Sequence, residues 1–167
     1  MSQRRLLIAA VSIGLVVVII GIIILTLALT PEQAHPAYTA AVEFVNAAGH
    51  GDDAAAFALL SDDLQTYVSE NCADGSVSAC IASYTPPEWG RFLSAVYRRS
   101  APDGTAIDVR LIATYAENEG FSGVCIYQRM QQNEAGEWRV YGWSGFISCG
   151  DAEATDLTAP DAPNRAP

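Results

Sequence analysis

From Leu6 to Leu29 the chain runs 24 residues without an ionisable side chain, directly after Arg4 and Arg5. As a helix rising about 1.5 Å per residue it would span roughly 36 Å, enough to cross a hydrocarbon core of about 30 Å with some tilt. A cleavable secretory signal has an apolar region of only about 7–15 residues. The end of this run, Ala28-Leu29-Thr30-Pro31, also lacks a small-x-small cleavage site. The pattern therefore predicts an uncleaved transmembrane helix at 6–29, a signal-anchor that meets membrane lipid along its length. Arg4 and Arg5, in the stub at 1–5, hold the N-terminus in the cytoplasm and send the rest of the chain outside. The expected address is the cell membrane, single-pass, with an extracellular or periplasmic domain.

Beyond a tether at 30–35 the period becomes helical. Tyr38, Ala41, Val42, Val45 and Ala48 fall on one stripe, Pro36 suits a first turn and Gly49 a stop. Asp52-Asp53 can cap a second, short helix that buries Phe57 and Leu60. Ser61 can start a third, with Leu64 and Val68 on its apolar side. Residues 69–87 read as a long loop, and 89–93 as a turn of helix. The period then changes to two. Strands are predicted at about 93–100, 105–116, 121–132 and 137–148, separated by Pro102-Asp103-Gly104, Asn118-Glu119-Gly120 and Asn133-Glu134-Ala135-Gly136. The class is α+β, with helices packed on an antiparallel four-stranded meander. The domain runs from 36 to 150, and the Ala/Pro/Asp-rich tail at 151–167 has too little apolar content to pack, so it is expected to be disordered.

The turns imply a register, which sorts the faces. Setting Ala101 opposite Thr105 places Tyr97 against Val109, Ala95 against Leu111 and Arg98 against Asp108. One face then holds Ile107, Val109, Leu111, Ala113, Val124, Ile126, Met130, Trp138, Val140 and Phe146, and it is the face the helices should cover. Its polar members are Tyr97, Gln128 and Ser144, with Arg99 near the rim, and the first three are the candidate ligand contacts. The opposite face brings Tyr127, Tyr141 and Trp143 into an aromatic cluster framed by Arg110, Arg129 and Arg139. Aromatic residues and arginine dominate interface hot spots, which makes this cluster the candidate partner surface. Ordinary cross-strand aromatic pairs covered by the tail or by the 69–87 loop are the alternative.

Four cysteines, at 72, 80, 125 and 149, sit in a domain expected outside the cytoplasm, so disulfides are favoured over zinc, for which no Cys-x-x-Cys pair exists. Cys72 with Cys80 closes a local loop and leaves Cys125 for Cys149. In the expected register Cys125 faces Gly145, four residues short of Cys149, and a bulge or bend must close that gap. The basic residues are nine arginines and no lysine, and beyond the span seven Arg meet nineteen acids, about −12. That field argues against nucleic acid and against docking on anionic lipid.

Ala41-Val42-Glu43-Phe44-Val45, Gly51-Asp52, the Ala54–Ser61 stretch and Gly136-Glu137-Trp138-Arg139-Val140-Tyr141 together resemble the nuclear transport factor 2-like superfamily over about residues 36–150. The resemblance implies helices on a strongly curved sheet with a cone-shaped cavity between them. Members include isomerases, cyclases and non-catalytic binding or assembly domains, so the fold alone names no activity. Bitopic assembly components of type IV secretion machines join an anchor to a similar fold. Isomerase chemistry in such a cone needs a carboxylate base and an acidic donor, and the inner face offers no Asp, Glu or His from the sheet. His35 falls in the tether and His50 after the first helix. No phosphate loop, nucleophile elbow or metal-ligand spacing appears, and no cofactor is expected. The expectation is a membrane-anchored, extracytoplasmic, non-catalytic domain engaging a protein partner or its own copy through the sheet face. The alternative is a carrier, or a small isomerase- or cyclase-like enzyme, for an apolar molecule in the cone.

Overall fold

The computed structural model describes residues 14–25, 35–83, 85–117 and 124–147, with side chains as far as Trp143 in the last stretch. Two compact units divide the chain, 1–35 and 36–167. In the first, residues 14–25 are helical, and each apolar side chain from Leu15 to Leu25 is 48–62% exposed. Among the described residues no helix is long and apolar enough to cross a membrane. The rest of the expected span lies outside the described residues, as do the expected turn at 118–120, Cys149 and the tail.

The second unit is α+β. Helix α1, Pro36–Gly49, buries Ala37, Tyr38, Ala40, Ala41, Phe44, Val45 and Ala48. Its inward stripe is centred one position away from the expected one, so Phe44 is buried whereas Val42 is only half-buried. Gly49 is the last residue of the helix, and a Cβ there would collide with the Phe92 ring. Asp52 caps α2, Asp53–Ala58, by accepting from the Ala55 N–H at 3.1 Å. Ser61 caps α3, Asp62–Asn71, by accepting from Leu64. A fourth helix, α4, Val77–Ala82, is capped by Ser76 and lies in the stretch expected to be loop. Its six residues carry only Val77 and Cys80 inward, too short a stripe to show a period. The Cys72–Cys80 disulfide, Cα atoms 5.0 Å apart, ties it to the end of α3. Pro87–Trp89 forms a 3₁₀ turn, and the expected turn of helix at 89–93 gives way to the start of a strand.

Strands β1, Phe92–Asp103, β2, Ala106–Tyr115, β3, Val124–Gln132, and β4, Trp138–Ile147, form one antiparallel sheet in sequential order. The first hairpin turns on Gly104 and Thr105, with Gly104 at φ +58°, so Asp103 pairs with Ala106 and β1 runs through Pro102. Tyr97 therefore faces Leu111 and Ala95 faces Ala113. A shift of two residues preserves the face, so both still point inward. Arg98 does not meet Asp108, because it occupies a register break between Tyr97 and Arg99. The Asp108 carboxylate instead takes the Arg129 guanidinium at 3.1 Å.

β2 and β3 pair with Val109 opposite Gln128 and Leu111 opposite Ile126, which keeps their apolar residues on one face as expected. Between β3 and β4 the register slips twice. Met130 pairs with Val140 but Arg129 with Gly142, leaving Tyr141 as the extra residue of a bulge. A single inserted residue exchanges the faces beyond it. Trp143 consequently lies opposite Gln128 and points inward, where its ring meets Phe44 at 5.8 Å. The second slip sets Cys125 opposite Ile147 rather than Gly145, two positions short of Cys149. Cys125 is itself disulfide-bonded.

The helices cover the inner face of the sheet, where Phe44, Leu60, Leu64, Val68, Leu111, Met130 and Val140 are buried. The two sheet edges differ. Leu60 bridges Val140 in parallel, with Ser61 N–H donating to the Val140 carbonyl and Val140 N–H to the Leu59 carbonyl, both at 2.9 Å. On β1 the Asn46 side chain plays the part of a strand at one residue only, donating to the Ala95 carbonyl and accepting from its N–H.

Candidate functional site

The three expected ligand contacts do not converge. Tyr97, half-buried, stacks on Tyr38 with ring centres 4.5 Å apart, and its hydroxyl lies 3.2 Å from Ser100 Oγ. Ser100 Oγ in turn donates to the Tyr38 hydroxyl at 2.8 Å. These groups form a closed polar chain at the β1 edge. Gln128 sits two strands away, fully buried. Ser144 pairs with Tyr127 instead of Ile126, a consequence of the Tyr141 bulge, and its side chain is outside the described residues.

Gln128 is the unusual member. Neither its amide nitrogen nor its amide oxygen has a hydrogen-bond partner, and the indole nitrogen of Trp143, its cross-strand neighbour, has none either. A buried polar group without a partner costs about 1–3 kcal/mol. Two neighbouring strands thus place two donors and an acceptor inside an otherwise apolar core, a combination a water molecule or a small polar group could satisfy.

The expected aromatic cluster is dispersed. Trp143 is in the core. Tyr127 does lie on the outer face but is 1% exposed, packed with Cys125 and Ile112, and the Arg110 guanidinium carbon lies 5.4 Å from its ring centre. Its hydroxyl makes no hydrogen bond. Tyr141, half-buried, lines a groove of about 490 Å³ between the start of α3 and the β3–β4 turn, with Gln65, Asp62, Asp63, Glu134 and Arg139. The groove is mainly acidic, because Arg139 is taken up by Glu137.

What the outer face carries instead is positive charge. Arg99 stands directly across from Arg110 in the β1–β2 ladder, and Arg98 is next in the chain. Arg98 Nη1 lies 3.2 Å from the Cys125 sulfur. Among the described residues no carboxylate comes within 4.0 Å of any of these three guanidiniums, whereas Arg129 holds both Asp103 and Asp108. Burial, and then Arg99 and Arg98, push the Arg110 guanidinium below its ordinary value. Val96, on the same strand, is 56% exposed, the one large apolar side chain so exposed among the described residues of the second unit. The sequence identified Arg110 and Arg129 here but placed Arg99 on the inner rim. The doubled Arg98-Arg99 was the available signal, since two consecutive residues of a strand straddle both faces unless a bulge intervenes.

A second recess, about 280 Å³ and mostly apolar, opens where the C-terminal end of α1 meets α4, lined by Ser78, Ile81, Thr85, Phe92 and Tyr115. Burial pushes the Tyr115 hydroxyl up to about 12, partly offset by a hydrogen bond with Thr85. Trp89 and Phe92 pack on its ring at 5.3 and 5.6 Å. Asp53 pins the adjacent helix, accepting from Ser78 N–H at 2.7 Å and Ser76 Oγ at 2.9 Å. Although burial alone would raise its carboxyl, these hydrogen bonds hold it below the usual value. No group of three His, Cys, Asp or Glu side chains able to hold a metal occurs among the described residues.

Compared with known proteins, the chain matches no family model, no curated protein and no solved structure.

Proposed function

We propose that this chain is a membrane-anchored, extracytoplasmic binding or assembly domain that engages an acidic protein partner through the outer face of its sheet. The observation that carries this reading is the like-charged Arg99–Arg110 pair, with Arg98 beside it and, among the described residues, no carboxylate within 4.0 Å of any of the three, in a protein of net charge −10. Like charges directly opposite in a ladder destabilise a sheet, so the arrangement is compatible with stability when an anion from elsewhere sits on it. Exposed Val96 adds an apolar contact beside the charges. The anchor is supported by the apolar helical segment at 14–25, which is exposed along its length and flanked by further apolar sequence. An oxidising compartment is supported by the Cys72–Cys80 disulfide. The helices on one face of a four-stranded meander suit a nuclear transport factor 2-like domain, with its curved sheet and cone.

The test is photo-crosslinking in native membranes with a benzoyl-phenylalanine at Val96. A heterologous adduct that disappears in Arg99→Glu supports the reading, and recovery of the monomer alone overturns it. The ligand-carrier alternative draws on one specific observation, the unpaired Gln128 and Trp143 groups in the core.

A further inference from the structure

Tyr127 belongs to the face of the sheet that no helix among the described residues covers, yet both it and Cys125 are at most 1% exposed. Arg110 lies over one side of the ring and Ile112 packs against the other members of this small cluster. The hydroxyl is buried without a partner, and among the described residues no carboxylate comes within 4.0 Å of the three arginines around it. An unpaired buried hydroxyl and a cationic cluster that Asp108 offsets only from beyond ion-pair distance of Arg110 both call for a polar, negatively charged cover.

The chain supplies such a segment. Residues 151–161 contain Asp151, Glu153, Asp156 and Asp161 and no basic residue. Their starting point is also known, because β4 ends at Ile147, opposite Cys125, whose sulfur is the neighbour of Arg98. From β4 to β1 is three strand spacings, about 14 Å. Asp151 is four residues beyond Ile147 and Asp156 nine, so an extended chain reaches about 13 and about 30 Å respectively. The acids can therefore lie across β3, β2 and β1 with length to spare. Leu157 and the threonines at 155 and 158 offer an apolar contact and hydroxyls for the same surface.

We propose that the acidic segment 151–161 docks on the outer face of the sheet, its carboxylates against Arg98, Arg99 and Arg110 over Tyr127. The docked segment occupies the surface assigned above to a partner, so it acts as a built-in competitor. The inference shares that surface with the proposed function but does not need it to be correct. A segment that fails to dock leaves the arginines open to an outside anion, while an undetected partner leaves docking intact.

The experiment is limited digestion of the full chain, in zwitterionic detergent micelles, with a protease that cuts after glutamate. Cleavage after Glu153 is expected to be at least about tenfold slower in the wild type at low salt than in Arg98→Gln/Arg99→Gln. High salt should abolish the difference, because exposed ion pairs are screened. Arg98 and Arg99 are both exposed, so the double variant leaves the core untouched, which circular dichroism verifies. Reversal provides a second arm: Arg98→Glu/Arg99→Glu opens the segment, and adding Asp156→Arg/Asp161→Arg to that background closes it again. Equal cleavage of wild type and double variant overturns the proposal. Protection that rises with protein concentration also overturns it, by assigning the surface to the segment of a second copy.

Discussion

Replacing Gln128 with methionine should stabilise this protein, an unusual expectation for a fully buried position. The glutamine lies on the inner face between Val109 and Trp143, with no exposed surface and both amide atoms unpaired. Each unsatisfied group carries a penalty of about 1–3 kcal/mol, and an apolar side chain of the same shape removes both at once. Methionine matches glutamine in length and branching, and volume-conserving exchanges of this kind cost less than about 1.5 kcal/mol in repacking. The balance favours Gln128→Met by about 2 kcal/mol, or roughly 6–10 °C in Tm for a domain of this size. Urea denaturation of the full chain in detergent, followed by tryptophan emission, reads the change directly, since Trp143 is the neighbour. A loss of 1 kcal/mol or more would refute the reasoning. It would mean that the amide is engaged by an internal water or a small polar molecule shared with the Trp143 indole, and the ligand-carrier reading would gain accordingly.

Other substitutions probe the groups that are paired. Arg129→Ala takes the guanidinium away from Asp108, whose side chain is 11% exposed, and the loss of this charge-assisted hydrogen bond should destabilise by about 2 kcal/mol in the same denaturation assay. Removing the Cys72–Cys80 disulfide by a double serine exchange frees a short loop, worth about 2–3 kcal/mol on chain-entropy grounds, and should leave α4 exchanging its amides faster. Asp53 accepts from Ser78 and Ser76, which hold its folded pKa below the unfolded value. Its contribution is therefore complete above the ordinary carboxylate range and is lost as pH falls through the folded value. Asp53→Asn should be less stable than the wild type at neutral pH, with the gap narrowing in acid, as measured by denaturation at a series of pH values.

The helix caps were legible because a cap is a local event: Asp52 and Ser61 need only the next three residues. The pairing of β2 with β3 was legible as well, since the alternation Ile107, Val109, Leu111 meets Val124, Ile126 and Met130 at one parity. Helix α4 was not, because two inward residues cannot display a period and the helix leans on Asp53 and on a disulfide distant in pattern terms. Trp143 shows the harder limit. Its alternation along β4 is correct up to Tyr141, and one bulged residue then exchanges inside and outside. Gly142 follows that bulge, and a glycine inside a strand is the signal that could have located it. The candidate site suffered most, since it lost Trp143 to that exchange of faces and Tyr127, on the expected face, to burial against Cys125 and Ile112.

Beyond the bulge that hides Trp143, the second slip brings Ile147 opposite Cys125, whose sulfur lies 3.2 Å from Arg98 Nη1. With the tryptophan removed from it, the outer face is defined by charge rather than by aromatic area, and its recognition should be salt-sensitive. On the proposed readings, an acidic segment of the chain and an acidic partner would compete for one set of guanidiniums. Competition has a definite consequence. Neutralising Asp151, Asp156 and Asp161 to Asn in the full chain should raise the yield of the Val96 crosslink to the partner, because the resident competitor has been weakened. It should raise it more at low salt than at high salt. An unchanged yield, with the adduct still lost in Arg99→Glu, would show that partner and segment use different parts of the face, and the competitive account would fall while both contacts stood.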